Sequence, residues 1–327
     1  MAGKRAVGAH SEEVEVTAAE PAEVENDGGR SERDCFLFLV QNPRLSIGGG
    51  CVQRLLSDLT RLGFAKETPA NCITFAVQCY GGDADAAFRL VRAIRGCCKR
   101  LEVLIPDSAK SAATLMALAA DKVYMGIGSD LGPLDMQLEH PAGERISSAL
   151  DGTHCLNDLQ MAATMMAHTL VTRVGNEFWQ TTRIPRRNVL DSLLRFASDT
   201  IEPIMRQIDP WMLHECMRLL DAMERYARTL LRDHMFAARK DGNSLAESVA
   251  NRLVTDYPMH SYVILRDEAR DELQLEVGDA EELEYWDNLC TMCRHIWHNN
   301  LCLCTASSWP LDFNAIAKKA TSYNNAP

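Results

Sequence analysis

The chain has 327 residues, a net charge of -11 and an isoelectric point near 5.3, and its 46% hydrophobic content is enough for one large domain with a full core. The acidic balance provides no basic field for phosphates, which argues against binding of nucleic acid. Neither an apolar membrane-spanning segment nor a signal-peptide core is apparent, and the twelve cysteines are scattered, so we expect a cytoplasmic protein without a membrane span.

Residues 1–34 differ in composition from the rest of the chain. They contain nine acidic and four basic residues and no aromatic side chain. Such a segment buries too little apolar surface to fold, so we predict a disordered acidic tail over 1–34.

Residues 35–155 alternate between apolar strand-like runs and amphipathic helical segments. The predicted strands are CFLFLV, CITFAVQCY, LEVLIP and KVYMG, and the predicted helices begin at residues 49, 84 and 111. Strands that alternate with helices of this length indicate crossover units. They predict an α/β core over 35–155 with a mainly parallel sheet.

The rest of the chain is predicted to be mostly helical. Residues 156–280 continue the same domain as helices with breaks near RIPRRN, IEP and DGN, and YPMHSYVI is a possible strand. Residues 281–327 form a cysteine-rich C-terminal segment, predicted to be helical as far as about Leu301 and then irregular.

Two loops of the core are chemically suggestive. Ser111 opens a helix directly after a strand, and Gly81 and Gly82 follow the preceding strand. In a parallel sheet both loops reach the carboxyl edge, where ligands bind. Backbone amides of the glycine pair and of Ala112 can there form an oxyanion hole for an attack by Ser111. Taken alone, each element also has a purely structural interpretation, as a helix cap and as a turn.

The segment AKSAATLMALAADKVYMGIGSDLGPLDMQ closely resembles the serine dehydrogenase proteinase family, a branch of the Clp protease/crotonase superfamily near signal peptide peptidase A. The upstream YGGDADAAFRL resembles the glycine loop of the family, and RLVTDYPMHSYVILRDEARDELQLEV is similar to a later segment. Together these cover roughly residues 35–280. The residues of the central segment that carry the resemblance are Lys110, Ser111, Ala112, Thr114, Leu118, Ala119, Asp121, Met125, Gly126, Leu131, Gly132, Pro133, Asp135 and Gln137.

The resemblance implies a Clp protease/crotonase-like spiral of ββα units, followed by a helical C-terminal portion. It implies that Ser111 is the nucleophile, that Gly81, Gly82 and Ala112 lie near the oxyanion hole, and that the chain assembles as a homo-oligomer. It implies a peptide or protein substrate and no cofactor or metal. The family pattern has a proline before the glycine pair, and Tyr80 stands there instead.

The general base is the open question of the sequence, because a serine hydroxyl needs a base to take its proton. Clp-type proteases have a histidine about 25 residues after the serine, where this chain has Met136 beside Asp135. Relatives with a lysine base take it from a later segment, but no lysine occurs between Lys122 and Lys240.

Several other residues are therefore candidates. Lys110 is favoured as a motif residue and Asp135 by its position, although neighbours in a helix do not face each other and a carboxylate is a weak base. His260 matches a histidine of the family, but sequence alone does not bring it near Ser111. The remaining candidates, for each of which a structural role is an alternative, are Lys122, His140, His154 and His168.

The C-terminal segment CTMCRHIWHNNLCLC contains a possible set of zinc ligands. Its residues are Cys290, Cys293, His295, His298, Cys302 and Cys304. The second pair is C-x-C, which fits no common zinc finger, and the same residues suit the apolar face of a helix.

The leading hypothesis is a serine hydrolase of the peptidase type, with Ser111, Lys110 and Asp135 as catalytic candidates. The alternative is an inactive oligomeric binding or scaffold member with the same fold, which the lack of a well-placed base favours. A weaker third hypothesis is acyl-CoA chemistry in the same oxyanion hole. A hydrolase requires Ser111, whereas a scaffold tolerates its replacement by alanine.

Overall fold

The computed structural model describes residues 34–41, 45–139, 146–181 and 183–322. The predicted acidic tail lies outside these residues except for Asp34. This residue is buried, and its carboxylate accepts a hydrogen bond from the backbone N–H of Cys72 at 3.2 Å. Asp34 is therefore part of the folded core.

The N-terminal half alternates between strands and helices as the apolar runs predict. Its elements are β1 (Cys35–Gln41), α1 (Gly49–Arg61), β2 (Ala70–Gln78), α2 (Ala84–Gly96), β3 (Cys98–Ile105), β4 (Ser108–Ala109), α3 (Ala112–Ala117), β5 (Lys122–Met125), β6 (Asp130–Leu131) and β7 (Gln137–Glu139). The helix predicted over 111–121 is shorter than expected, because it ends at Ala117 and turns begin at Leu118.

The C-terminal half contains most of the helical residues. Its elements are β8 (Ile146–Ser148), α4 (Ala149–Thr169), α5 (Asn176–Thr181), α6 (Arg186–Met205), α7 (Pro210–Leu230), α8 (Gly242–Thr255), β9 (Ile264–Leu265), β10 (Val277–Asp279), α9 (Trp286–His298), β11 (Leu301–Ser308), α10 (Phe313–Ala317) and β12 (Thr321–Ser322). Short π-helical segments follow α4 and α7 and precede β10, at Leu170–Gly175, Leu231–Met235 and Glu268–Glu272.

The main sheet has the strand order β10-β5-β3-β2-β1-β11-β12. The strands from β10 to β1 are parallel, whereas β11 pairs antiparallel with β1, and β12 pairs antiparallel with β11. The predicted α/β class with a mainly parallel sheet is confirmed.

A second, smaller sheet stands beyond the carboxyl ends of the main strands. It consists of β4, β6 and β9, and isolated bridges extend its pattern between Ile47 and Gly82 and between Cys79 and Ala109. Each main strand from β1 to β3 is thus followed by a short paired segment and then by a helix. This is the repeated ββα unit. It brings the loop of residues 79–82 beside the loop that leads to Ser111.

The main sheet has an apolar layer on each face, because successive side chains of a strand point to opposite sides. Leu37, Leu39 and Phe75 belong to the layer that contains α1, α2 and α3 together with α7 and α8. Phe36 and Phe38 belong to the layer formed with α9 and α10. Strands buried on both faces explain the unbroken apolar runs of the sequence.

The C-terminal segment differs from its prediction. The expected helix ends at His298, and Leu301–Ser308 forms β11 in the main sheet, in register with β1 from Gln41 to Cys35. Asn300 has a left-handed φ of 52°, which ends the helix and reverses the chain. The predicted strand YPMHSYVI is also wrong except at Ile264, where β9 begins.

Candidate active site

Ser111 occupies a strained turn between β4 and α3. Its φ of 50° and ψ of -115° lie outside the regions that side-chain-bearing residues favour. Such a conformation costs about 1–3 kcal/mol and persists where the surrounding structure enforces it, commonly at functional sites. A sharp strand-to-helix turn of this kind presents a serine hydroxyl at the end of a strand.

Thr114 holds this turn against the following loop. Its hydroxyl lies 2.7 Å from the carbonyl oxygen of Ala109 and 2.8 Å from that of Gly132, and it accepts a hydrogen bond from the N–H of Gly132 at 3.0 Å. Thr114 is fully buried. The strained turn is therefore fixed from both sides rather than left mobile.

Gly81 lies directly against Ser111. A Cβ atom built on Gly81 would lie 3.0 Å from the Ser111 Cβ and 3.0 Å from the Lys110 carbonyl oxygen, and its φ is +99°. The neighbouring Gly82, with φ +142°, has no room either, because a Cβ there would lie 2.3 Å from the backbone nitrogen of Ile47. Both positions require glycine.

The first turn of α3 completes this arrangement. Ala112 follows Ser111 and is fully buried, and the backbone N–H groups of a first helical turn have no partner within the helix. The Ala112 nitrogen would lie 3.3 Å from a Cβ on Gly81. The structure thus brings together the four residues predicted to form the nucleophile and the oxyanion hole.

Asp135 is the second residue beside the serine. The Ser111 hydroxyl donates a hydrogen bond to the Asp135 backbone carbonyl at 3.2 Å. The Asp135 side chain is fully buried, and its Oδ1 accepts a hydrogen bond from the N–H of Leu150 at 3.0 Å. Its main chain therefore contacts the serine, while its carboxylate is directed elsewhere.

His260 lies at the other carboxylate oxygen of Asp135. The imidazole Nδ1 is 3.5 Å from Oδ2, and the histidine side chain is 21% exposed. With Nδ1 towards a carboxylate, a neutral imidazole keeps its proton on Nδ1 and leaves Nε2 as the acceptor. Asp135 thus contacts Ser111 through its backbone carbonyl and faces His260 through its carboxylate, and the sequence alone did not bring His260 to this position.

Lys110 is engaged away from the serine hydroxyl. Its ammonium forms an ion pair with Asp130 Oδ2 at 3.0 Å and donates to the carbonyl oxygens of Leu131 and Tyr262, each at 3.1 Å. An ammonium has three donors, and here three acceptors use them. Lys110 therefore ties β6 to the loop that contains His260, and it presents no free lone pair to a substrate.

Charge near this ion pair affects Asp107, which precedes β4. Desolvation and the negative charge of Asp130 raise the pKa of the Asp107 carboxyl above its ordinary value, and Lys110 offsets part of that rise. The residues from Asp107 to Ser111 therefore lie in a field in which acidic groups outnumber the single ammonium.

The remaining candidates for the base lie elsewhere. Lys122 is in β5, with its ammonium 4.7 Å from the centre of the Tyr124 ring, while His154 and His168 are on α4. His140 is outside the described residues. The predicted zinc ligands are divided between α9 and β11, and the described part of the chain contains no group of three or more histidine, cysteine, aspartate or glutamate residues able to hold a metal ion.

Comparisons with known proteins give limited information. No family model matches the chain. A curated protein of Methanocaldococcus jannaschii, described as uncharacterized, is 30% identical over 113 residues, which are 34% of this chain and 38% of that protein. The chain therefore matches well under two thirds of the length of this relative.

Two similar solved structures are variants of the 1510-N membrane-bound stomatin-specific protease. One has a serine replaced by alanine; the other has a lysine replaced by alanine and is in complex with a substrate peptide. Both are 13% identical to this chain with a TM-score of 0.36, cover 68% of it, and are themselves covered to 68% and 64%. A putative enoyl-CoA hydratase from Streptomyces coelicolor is 18% identical over 38% of this chain and 53% of its own, with a TM-score of 0.25. At such scores these similarities establish no activity for this chain.

Among the described residues, no helix combines the length and apolar character that crossing a membrane would require.

Proposed function

We propose that this protein is a serine hydrolase of the Clp protease/crotonase superfamily that cleaves peptide or protein substrates in the cytoplasm. Ser111 is the nucleophile, His260 the general base, and Asp135 the residue that orients His260. The observation that carries the proposal is the position of Asp135, whose carbonyl accepts the Ser111 hydroxyl while its carboxylate faces Nδ1 of His260.

We propose the following reaction for these three residues. The Ser111 hydroxyl turns from the Asp135 carbonyl towards Nε2 of His260, which takes its proton as Oγ attacks the substrate carbonyl. The carboxylate of Asp135 stabilises the resulting imidazolium. The imidazolium then gives its proton to the leaving amine, and a water molecule, activated by the same histidine, releases the acyl group from Ser111.

The proposed oxyanion hole consists of backbone amides of the glycine pair and of Ala112. The close approach of Gly81 to Ser111 supports it, because the missing side chains leave the amides accessible to a carbonyl oxygen. Donors fixed in advance stabilise developing charge without reorganisation, and one such donor contributes about 2.7–4 kcal/mol to catalysis. This is also why replacing either glycine would affect catalysis as well as packing.

Lys110, one of the catalytic candidates of the sequence, is assigned a positioning role in this proposal. Its contacts with Asp130 and Tyr262 hold the loop of His260 against the turn of Ser111. A base in this site must be able to exchange a proton with the serine, and an ammonium bound by three acceptors is poorly suited to do so.

Homo-oligomer formation is part of the proposal. Apolar side chains on α4, α6 and the start of α7 are exposed, among them Met165 at 63%, Phe196 at 59% and Trp211 at 82%. Acidic and basic residues alternate along α6, from Arg187 and Asp191 to Arg195 and Asp199. Such a surface suits a second copy of itself, because opposite charges can meet across the contact.

One observation favours the alternative of a non-catalytic scaffold. Ser111 is only 7% exposed, and its hydroxyl is bound to a backbone carbonyl rather than to an imidazole. A scaffold of this kind would keep its binding partners after Ser111→Ala, whereas a hydrolase would lose turnover.

The test is product analysis with a mixture of unstructured peptides. The purified chain, Ser111→Ala and Thr172→Ala are incubated with the mixture, and new peptide termini are identified by mass spectrometry. Thr172 is exposed, and its hydroxyl donates a hydrogen bond to the carbonyl oxygen of His168, one turn earlier in the chain. Cleavage by the wild type and Thr172→Ala but not by Ser111→Ala supports a peptidase, and cleavage by none of them contradicts it.

A further inference from the structure

A cavity of about 500 Å³ lies outside the proposed catalytic group, between the carboxyl ends of β2 and β3 and one side of α9. Its lining residues are Gln78, Pro106, Asp107, Cys290, Arg294, Trp297 and His298. Carboxyl ends of parallel strands are the usual position of ligand sites in open α/β sheets. The main sheet separates this cavity from the layer that contains α3.

A buried polar atom in this cavity lacks a partner. Gln78 is only 2% exposed, and its Oε1 makes no hydrogen bond with any group of the described residues. Buried polar atoms are nearly always hydrogen-bonded, and each exception requires an explanation. An N–H donor of a ligand bound in the cavity would satisfy this oxygen.

Two opposite charges line the same cavity without pairing. Asp107 and Arg294 are both exposed at its rim, and no ion pair among the described residues includes either of them. Among the described residues, the Arg294 side chain donates a hydrogen bond only to the carbonyl oxygen of Cys290 in its own helix, at 3.3 Å. The two rim groups are thus free to bind the two charges of a ligand that lies between them.

Aromatic rings form an apolar side of the site and connect it to the glycine loop. Trp297 lines the cavity, and its ring meets Tyr80 edge-on at 5.4 Å between centroids. Tyr80 precedes Gly81, where the sequence departs from the family pattern. An apolar ligand side chain would pack against the Trp297 ring, which Tyr80 supports from outside the cavity.

We propose that this cavity binds the zwitterion of an apolar amino acid or of a short peptide. Arg294 binds the carboxylate, Asp107 the ammonium group, and Gln78 Oε1 an N–H donor, while the apolar side chain contacts Trp297. The site is separate from Ser111 and does not depend on the proposed hydrolase activity.

The test is calorimetric titration of the full-length Ser111→Ala protein, in which peptide probes stay intact even if the chain is a hydrolase. The probes are L-leucine and L-leucyl-L-leucine, each compared with its N-acetylated form and its C-terminal amide. We expect one of the two zwitterions to bind, and either modification to weaken its binding about tenfold or more, because each removes a charged hydrogen-bonding partner.

Variants assign each end of the ligand. Arg294→Gln should weaken binding of the zwitterion about tenfold but leave binding of the C-terminal amide unchanged. Asp107→Asn should also weaken binding of the zwitterion about tenfold, but it should leave binding of the N-acetylated form unchanged. Arg225→Gln, on the exposed face of α7 and paired with Asp221, is the matched control and should change nothing.

Three results would overturn the proposal. They are no binding of either zwitterion at millimolar concentration, equal binding of the modified probes, and binding that Asp107→Asn and Arg294→Gln leave unchanged. Wild-type protein should bind L-leucine as tightly as the Ser111→Ala protein. Because the titration requires no turnover, absence of hydrolysis would contradict the proposed function without affecting this result.

Discussion

The imidazole of His260 faces the carboxylate of Asp135, with Nδ1 3.5 Å from Oδ2, and the backbone carbonyl of the same aspartate accepts the hydroxyl of Ser111 at 3.2 Å. One buried residue thus contacts both a strained serine and a histidine from a distant part of the chain. Neither His260 Nδ1 nor Asp135 Oδ2 has a hydrogen-bond partner among the described residues, so each is available to the other.

Gly81→Ala tests the packing of the glycine loop against Ser111. The added methyl group would meet the Lys110 carbonyl and the Ser111 Cβ at 3.0 Å, at a φ that disfavours alanine. We expect kcat/KM for peptide cleavage to fall about a hundredfold and the free energy of unfolding to fall by about 1–3 kcal/mol. Gly96→Ala is the matched control, because nothing lies within 4 Å of its added methyl group. Equal behaviour of the two variants would contradict close packing at Gly81.

Lys110→Met tests whether the lysine positions the loop or acts as the base. Removing it leaves Asp130 buried without its partner, which should lower the free energy of unfolding by about 3 kcal/mol. Combining it with Asp130→Asn removes the charge on both sides, so the double variant should be more stable than the sum of the single effects predicts.

The activity of Lys110→Met then separates the two roles. Measured on folded protein, the variant should retain a reactive Ser111 and show mainly a raised KM, because the loop of His260 is held less firmly. Complete loss of serine reactivity in folded Lys110→Met protein, with full reactivity in His260→Gln, would make Lys110 the base and contradict the present assignment.

His234 should make the stability of the protein depend on pH. Burial, followed by the positive charge of Arg95, lowers the pKa of its imidazole from 6.5 to about 4. Between these pH values the unfolded chain binds a proton that the folded chain does not. The contribution of His234 to the free energy of unfolding is therefore fully present above pH 6.5 and is lost as the pH falls towards 4. It amounts to about 1–2 kcal/mol when the partial exposure of the imidazole is considered.

Urea unfolding at pH 7 and at pH 4.5 measures this contribution. His234→Gln should reduce the difference in unfolding free energy between the two pH values. His214→Gln, at an exposed position of α7, should leave the difference as in the wild type. An unchanged difference in His234→Gln would show that other groups cause the pH dependence.

Phe196→Glu tests the proposed contact between copies of the chain. Phe196 is 59% exposed on α6, and a carboxylate there would be unfavourable within an apolar interface. We expect light scattering to show the wild type as a multiple of 36.4 kDa and the variant as a smaller species. Thr200→Glu, one turn further along the helix and exposed, should have a weaker effect. A wild-type protein of monomer mass would contradict the proposed assembly.

Local patterns in the sequence predict the core and part of the candidate site. The apolar runs of β1 to β3 identify buried strands, and the parallel arrangement brings the loops of Gly81 and Ser111 to one edge. The position of His260 could not be predicted in this way, because no periodicity in the sequence connects its loop to Asp135. The contact between His260 and Asp135 depends on the pairing of β6 with β9. Lys110 is favoured as a motif residue, and its ammonium is directed to Asp130 by packing that no local pattern specifies.

The C-terminal segment shows a signal that sequence reasoning missed. In HNNLCLCTASS, two asparagines precede a run in which leucine and cysteine alternate. Asn300 adopts the left-handed conformation that asparagine tolerates. A helix stop followed by β-strand residues is therefore visible there once the cysteines are not assumed to belong to one helix. Nothing in this stretch specifies that β11 pairs with β1, since that contact joins the two ends of the described chain.

Covalent labelling with a fluorophosphonate, mapped by mass spectrometry, tests the proposed catalytic group most directly. The wild type, Ser111→Ala, His260→Gln and Asp135→Asn are treated under the same conditions after each is shown to be folded. We expect labelling of the wild type at Ser111 alone, none in Ser111→Ala, and rates reduced about a hundredfold or more in the other two. Labelling at another serine, or undiminished labelling of Ser111 in His260→Gln, would contradict the assignment of these residues.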